Sequence, residues 1–103
     1  MKRFLVLVTT ILLIVSFGLA THAATLTVGT GEDYTSIQEA IDVASATDEI
    51  YITNGTYEEN LRVTKAITLI GESRDGVIID TTSTTTRGIY VNADNVSISN
   101  ITL

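Results

Sequence analysis

The chain has 103 residues, a formal net charge of -6 at pH 7 and no cysteine. Disulfide bonds and anchoring through a lipidated cysteine are therefore excluded, and the fold must be stabilised by apolar burial and hydrogen bonds. The acidic balance also argues against a basic face for binding nucleic acid or anionic lipid.

The first 23 residues have the organisation of a secretory signal peptide. Lys2 and Arg3 precede a mostly apolar stretch from position 4 to position 20, and small residues follow it. We predict cleavage after Ala23, because signal peptidase needs small side chains one and three residues before the cut, where Ala23 and Thr21 lie. The alternative is a retained membrane anchor, but the stretch is just short of the roughly 20 apolar residues that span a bilayer.

Removal of this segment would change the chemistry open to the remaining residues 24 to 103. Two positive charges and the only histidine would be lost. Nucleophilic sites that need an imidazole base, and ordinary zinc sites, would then lack their ligands.

The carboxyl end of the sequence lies within an apolar alternation from Ser97 to Leu103. A strand that stops there would leave an open edge. We therefore expect this chain to be a fragment of a longer protein. The alternative is a natural stop at Leu103, with the edge covered by a partner chain.

One amphipathic helix is predicted between Tyr34 and Ala46. Four apolar residues recur at the i, i+3, i+4 and i+7 spacing of one helical face; these are Ile37, Ala40, Ile41 and Ala44. Thr35 with Gln38 is one candidate capping box at its start. Ser36 with Glu39 is the other.

The remaining residues are predicted to form short strands rich in β-branched side chains and separated by turn residues. The strands are Leu26 to Val28, Glu49 to Ile52, Leu61 to Val63, Ile67 to Ile70, Val77 to Asp80, Gly88 to Val91, Val96 to Ile98 and Ile101 to Leu103. Asn54-Gly55 is by itself a hairpin signal. The competing interpretation is a repeat of roughly 20 residues or slightly more, in which short strands stack as coils along an axis.

Four segments occur in a fixed order along the chain: YTSIQEAI, then NGTYEEN after a strand, then ITLIG, and finally GIYVNADNVSISNITL. In this order they resemble the opening of right-handed parallel β-helix proteins of the pectin lyase-like group, which includes pectinesterases, pectate lyases and NosD-like β-helix domains. The resemblance extends over essentially all of residues 24 to 103. It implies an all-β fold, a right-handed parallel β-helix (solenoid) with an N-terminal amphipathic capping helix.

The resemblance also implies where particular residues lie. The helix would close the amino end of the coil stack, as terminal repeats must. Gly55 and Gly71 would lie at corners between strands, where positive φ or a close backbone approach favours glycine, with ordinary surface turns as the alternative. Six side chains would point inward and stack on like residues in the next coil: Ile50, Ile52, Ile67, Leu69, Ile78 and Ile98.

No catalytic, cofactor-binding or metal-binding residue is predicted within the chain. The resemblance implies that catalytic groups belong to later coils, so no catalytic position transfers to this sequence. Glu58 and Glu59 are adjacent and would face opposite sides of a strand, unlike the paired carboxylates of glycosidases. Asp75, Asp80 and Asp94 lie in different turns and are expected to be solvated rather than to converge on calcium.

Three further motifs carry smaller predictions. Gly29-Thr30-Gly31 resembles the start of a phosphate-binding loop, but Tyr34 lies where that motif needs glycine, and the two acids that follow the motif would repel phosphate. We therefore predict that it forms the loop that leads into the helix. Thr81 to Thr86 is a polar run expected to form a solvated loop. Asn54, Asn95 and Asn100 match N-glycosylation acceptors, with chance matches in a threonine-rich chain as the alternative.

Two functions are consistent with this sequence. The first is a secreted protein, extracellular or periplasmic, that acts on or binds extracellular polysaccharide. The second is a non-catalytic surface or structural β-helix repeat protein, scaffold or adhesin-like. Neither nucleic acid nor, after signal removal, a membrane is an expected partner, and further coils or a partner chain are expected to cover the strand edge at Leu103.

Overall fold

The computed structural model describes residues 23 to 81 and 88 to 103. The predicted signal peptide, except for Ala23, and the polar run after Thr81 lie outside the described residues. Within the described ranges there are eight short strands and one helix. They are β1 (Thr25–Val28), α1 (Ile37–Val43), β2 (Glu49–Ile52), β3 (Gly55–Tyr57), β4 (Leu61–Val63), β5 (Thr68–Gly71), β6 (Val77–Ile79), β7 (Ile89–Val91) and β8 (Ser97–Ser99).

The strand pairing shows that the chain winds into stacked coils. Strands β2, β3 and β4 form one coil, and they pair in parallel with β5, β6 and β7 of the next coil. Strand β1 pairs with β2 before the first coil, and β8 pairs with β5 after the second. The fold is therefore the predicted all-β parallel β-helix. The hairpin interpretation of Asn54-Gly55 is wrong, because β2 and β3 on either side of it belong to different sheets.

Inward-facing side chains stack between the coils and form the core. Leu26, Ile50, Leu69 and Ile98 lie in register in successive strands of the four-stranded sheet. Burying one such aliphatic side chain contributes roughly 1.5 to 3 kcal/mol, so the buried members of the column stabilise the fold. The inward orientation predicted for four residues is confirmed, since they are fully buried: Ile50, Ile52, Ile67 and Leu69.

The other two inward predictions have different outcomes. Ile78 points outward and is 38% exposed, while its neighbours Val77 and Ile79 are buried. That prediction is wrong because three consecutive β-branched residues conceal which face each one takes, and a shift of one residue exchanges the faces. Ile98 lies in register with buried Leu69, as the predicted stacking requires. It is nevertheless 38% exposed, so it is not buried as the other core residues are.

Most predicted strands agree with the structure to within one or two residues at each end. The predicted strand from Ile101 to Leu103 is wrong, because in this segment only Thr102 forms a bridge, an isolated one to Ile78. Strand β3 was not predicted, since its Gly55-Thr56 sequence has the composition of a turn.

The helix is shorter than predicted, and its start is settled by its cap. Ser36 has extended backbone angles, and its hydroxyl accepts a hydrogen bond from the backbone N–H of Glu39. The Ser36 candidate is therefore the N-cap, whereas Thr35 is not. The predicted apolar face is confirmed as buried at all four positions, and α1 packs against β1, β2 and β4.

Gly71 lies where two coils come close together. It is the last residue of β5, and a Cβ at this position would overlap the carbonyl oxygen of Asn100 in the next coil. Asn100 has a left-handed backbone with φ 57 that turns the chain after β8. Of the reasons predicted for a glycine at this corner, close backbone approach is the one that applies.

Candidate functional site

The acids considered in the sequence are mostly spread over the surface. Glu58, Asp75, Asp80 and Asp94 are exposed and lie in different parts of the coils. Among residues 23 to 81 and 88 to 103, no group of three or more histidines, cysteines or acids is arranged to hold a metal ion. The Gly29 loop leads into α1 as predicted, with its backbone N–H donating to the Tyr34 carbonyl oxygen at 2.8 Å.

Glu59 differs from the other acids, because its carboxylate is hydrogen-bonded at the start of α1. Its Oε1 accepts hydrogen bonds from the Ser36 hydroxyl at 2.9 Å and from the Gln38 N–H at 3.0 Å. Its Oε2 accepts from the Ile37 N–H at 2.9 Å. The first N–H groups of a helix have no partner within the helix, and a negative charge there is favoured by the helix dipole. Glu59 therefore caps α1 from the loop between β3 and β4.

Gln38 joins the side of α1 to the edge of β4. Its Oε1 accepts from the backbone N–H of Arg62 at 2.8 Å, and its Nε2 donates to the Arg62 carbonyl oxygen at 3.2 Å. Strand β4 pairs with β7 on its other side. The Gln38 amide thus satisfies backbone groups that would otherwise form an open strand edge.

Lys65 satisfies the carboxyl end of the same helix. Its Nζ donates to the carbonyl oxygens of Ile41 at 2.9 Å, Asp42 at 2.8 Å and Ala44 at 2.7 Å. The last carbonyls of a helix have no intrahelical donors, and a cation there complements the helix dipole. Lys65 therefore uses all three of its ammonium donors to hold α1.

Asp48 is a buried acid that connects β1 to the segment after α1. Its Oδ1 accepts from the Ala24 N–H at 2.9 Å, and its Oδ2 accepts from the Ser45 N–H at 2.8 Å. The hydrogen bond from Ala24, and then that from Ser45, lower the pKa of this carboxyl, and the charge of Lys65 lowers it further. Burial acts in the opposite direction but is outweighed.

We call these side chains the helix-anchoring cluster: Ser36, Gln38, Asp48, Glu59 and Lys65. Each is engaged with backbone groups, so the cluster holds α1 and β1 in place rather than presenting a free acid, base or nucleophile. Sequence reasoning missed this cluster because its hydrogen-bonded partners are distant in the sequence. The separation is 21 to 24 residues for the contacts that Glu59, Gln38 and Lys65 make across the fold and for the contact between Ala24 and Asp48. The Glu59 position was nevertheless inside the NGTYEEN segment that carried the family resemblance.

The outer face of the β4 and β7 pair carries a cation–π contact. Arg62 and Tyr90 are partners in the register, and the guanidinium carbon lies 5.6 Å from the centre of the Tyr90 ring. Such a contact contributes about 0.5 to 1 kcal/mol at an exposed site. It links the first and second coils on their outer surface.

No helix among the described residues is both long and apolar enough to cross a membrane. Comparison with profiles of known protein families finds no match. A cell surface glycoprotein of Methanothermus fervidus is 36% identical over 98 residues, which is 93% of this chain and 16% of that protein.

Solved structures of pectin methylesterases resemble the fold. The enzyme from Aspergillus niger superposes with a TM-score of 0.66 and 29% identity, covering 80% of this chain and 34% of that one. A pectin methylesterase in complex with a hexasaccharide has a TM-score of 0.62 and 26% sequence identity to this chain. The enzyme from Erwinia chrysanthemi has a TM-score of 0.60 and 25% identity. The chain covers 30% of each of these two. The chain therefore shares the parallel β-helix fold of these pectin lyase-like proteins.

Proposed function

We propose that this chain is the N-terminal cap and the first coils of a longer, secreted parallel β-helix protein that binds or acts on extracellular polysaccharide. The observation that carries the proposal is the difference between the two ends of the coil stack. One end is covered by α1, and the other carries exposed apolar side chains that continue the core columns.

The covered end has the features of a terminal cap. Ile37, Ala40 and Ile41 are buried against the first strands, and the helix-anchoring cluster fixes both ends of α1. Repeat proteins need such a cap because their last coil would otherwise expose its core.

The opposite end lacks an equivalent cover among the described residues. Ile98 is 38% exposed and Val91 is 43% exposed, although both lie in register with buried residues of the previous coil. A further coil in the same register would bury them, which supports a continuation of the β-helix.

Two comparisons support an extracellular, polysaccharide-related role. Solved proteins that resemble this fold include pectin methylesterases, one of them in complex with a hexasaccharide, and the relative from Methanothermus fervidus is a cell surface glycoprotein. The predicted signal peptide, with cleavage after Ala23, is consistent with the same address. In this proposal, any catalytic groups belong to later coils, as the resemblance to pectin lyase-like proteins implies.

The test uses the full-length protein secreted from its native source. Binding is measured by sedimentation with pectin coupled to an insoluble resin, with uncoupled resin as the control, and methyl ester hydrolysis and chain cleavage are measured with the same protein samples on soluble pectin. Residues 24 to 103 expressed alone are expected to release no product. The polysaccharide part of the proposal is overturned if the full-length protein neither binds nor modifies pectin or polygalacturonate.

A non-catalytic surface scaffold is the second candidate. The identity of 36% to a cell surface glycoprotein favours it, because that match covers 93% of the chain. Binding without any release of methanol or shortened chains would select the scaffold, whereas turnover would select the enzyme.

A further inference from the structure

We propose that signal-peptide cleavage between Ala23 and Ala24 creates an ion pair between the new α-ammonium group of Ala24 and the buried carboxylate of Asp48. The inference rests on the secreted state in the proposed function. Cleavage would then have two consequences. It releases the protein, and it strengthens the contact that holds β1 on the coil stack.

The position of the Ala24 nitrogen is set by contacts on both sides. The nitrogen lies 2.9 Å from Oδ1 of Asp48, and the Ala24 carbonyl oxygen accepts from the Glu49 N–H at 2.8 Å. Asp48 is only 8% exposed, and its other oxygen is held by the Ser45 N–H. Oδ1 of Asp48 is therefore positioned to accept a hydrogen bond from the Ala24 nitrogen, whether that nitrogen is an amide or an amine.

Cleavage changes the chemistry of that nitrogen. Before cleavage it is an amide N–H, a neutral donor. Hydrolysis of the Ala23–Ala24 peptide bond adds water, so that Ala23 leaves with a carboxylate and Ala24 keeps an amine. The amine takes up a proton at neutral pH, since an α-amino group ordinarily has a pKa of about 7.7 to 8.0. The contact to Asp48 then becomes a charge-assisted hydrogen bond, which is roughly twice as strong as a neutral one.

The surroundings favour a charged pair at this point. Ala24 is exposed, which leaves room for the additional protons. Lys65, whose charge also acts on Asp48, opposes a second cation there, whereas the Asp48 carboxylate and the neighbouring half-buried Glu49 favour one. Among the described residues, β1 is the outermost strand of its sheet and pairs there with β2, so a stronger contact at Ala24 holds β1 in place.

The first experiment identifies the mature terminus and titrates its amine. N-terminal sequencing of the secreted protein should give Ala24 as the first residue. Competitive labelling of the α-amine between pH 6 and 11 should give a pKa above the ordinary range, and Asp48→Asn should return it to that range. Asp94→Asn, which changes an exposed carboxylate in another coil, should leave the titration unchanged.

A second variant keeps Asp48 intact in case Asp48→Asn does not fold. A glycine inserted between Ala23 and Ala24 makes the Ala24 nitrogen an amide again in the secreted protein. We expect its unfolding equilibrium constant to rise roughly fivefold to tenfold at pH 7, as a charged hydrogen bond becomes a neutral one. Because a raised α-amino pKa stabilises the protein fully only below the ordinary value, this difference should shrink as the pH rises above about 8 and be lost once the pH exceeds the raised folded value.

The outcomes separate this inference from the proposed function. A mature terminus at another residue would overturn the cleavage position. An Ala24 amine with an ordinary pKa, or one unaffected by Asp48→Asn, would overturn the ion pair. Polysaccharide binding measured on the same preparations should not respond to the glycine insertion, so a failure of binding would bear on the proposed function alone.

Discussion

Glu59 and Asp48 each accept hydrogen bonds from two backbone N–H groups. Each carboxylate therefore binds segments distant in the sequence, Glu59 at the start of α1 and Asp48 at the start of β1. A carboxylate suits this role because it offers two oxygens and accepts from several donors at once.

Replacing Glu59 tests the cap on α1. Glu59→Ala removes the acceptor for two helix N–H groups and the Ser36 hydroxyl, so we expect the free energy of unfolding to fall by about 1.5 to 3 kcal/mol. Glu58→Ala is the matched control, because that neighbour is exposed and should change the value by no more than about 0.5 kcal/mol. Equal effects of the two substitutions in urea unfolding would contradict the cap.

Asp48 predicts how stability depends on pH. Its pKa is lowered in the folded protein, chiefly by the hydrogen bonds from Ala24 and Ser45. Its ionised form therefore contributes stability above its ordinary pKa of about 3.9, and this contribution is lost as the pH falls through the lower folded value. We expect Asp48→Asn to flatten the loss of unfolding free energy below about pH 4. The measurement is the free energy of unfolding as a function of pH below about 4, with Asp94→Asn as the control. If this free energy fell as steeply in Asp48→Asn as in the unchanged protein and the control, the assignment would be contradicted.

At the scale of elements, local pattern predicted the helix and most strands but not their mutual arrangement. The spacing of Ile37, Ala40, Ile41 and Ala44 identified the buried face of α1, because that face depends only on the helical period. Strand β3 was missed because local composition indicates a turn there and the pairing with β6 decides otherwise. The helix-anchoring cluster was missed because its hydrogen-bonded partners are distant in the sequence and become neighbours only when the chain winds into coils.

The strand β6 offers a direct test of which residues face the core. Ile79→Ala removes a fully buried side chain and should cost about 2 to 5 kcal/mol of unfolding free energy. Ile78→Ala removes an outward side chain of the same size and should cost about 1 kcal/mol or less. Thermal and urea unfolding of the two variants decide the point, and a larger effect at Ile78 would reverse the assigned faces.

At the scale of the whole molecule, the two ends of the described coil stack differ, because one is covered by α1 and the other carries exposed apolar side chains. Closure by α1 and its anchoring side chains covers the first coil, whereas Ile98 and Val91 continue the core columns outward. The fold could be predicted from the order of the sequence segments. The asymmetry of the ends required the register, since burial depends on what stacks on each residue.

We propose that this chain begins a longer, secreted β-helix protein. The most direct test is the intact mass of the secreted protein from its native source, determined together with its N-terminal sequence. We predict a first residue of Ala24 and a mass well above that of residues 24 to 103. A mass equal to that of residues 24 to 103 would contradict the claim, and a partner chain would then have to cover Ile98.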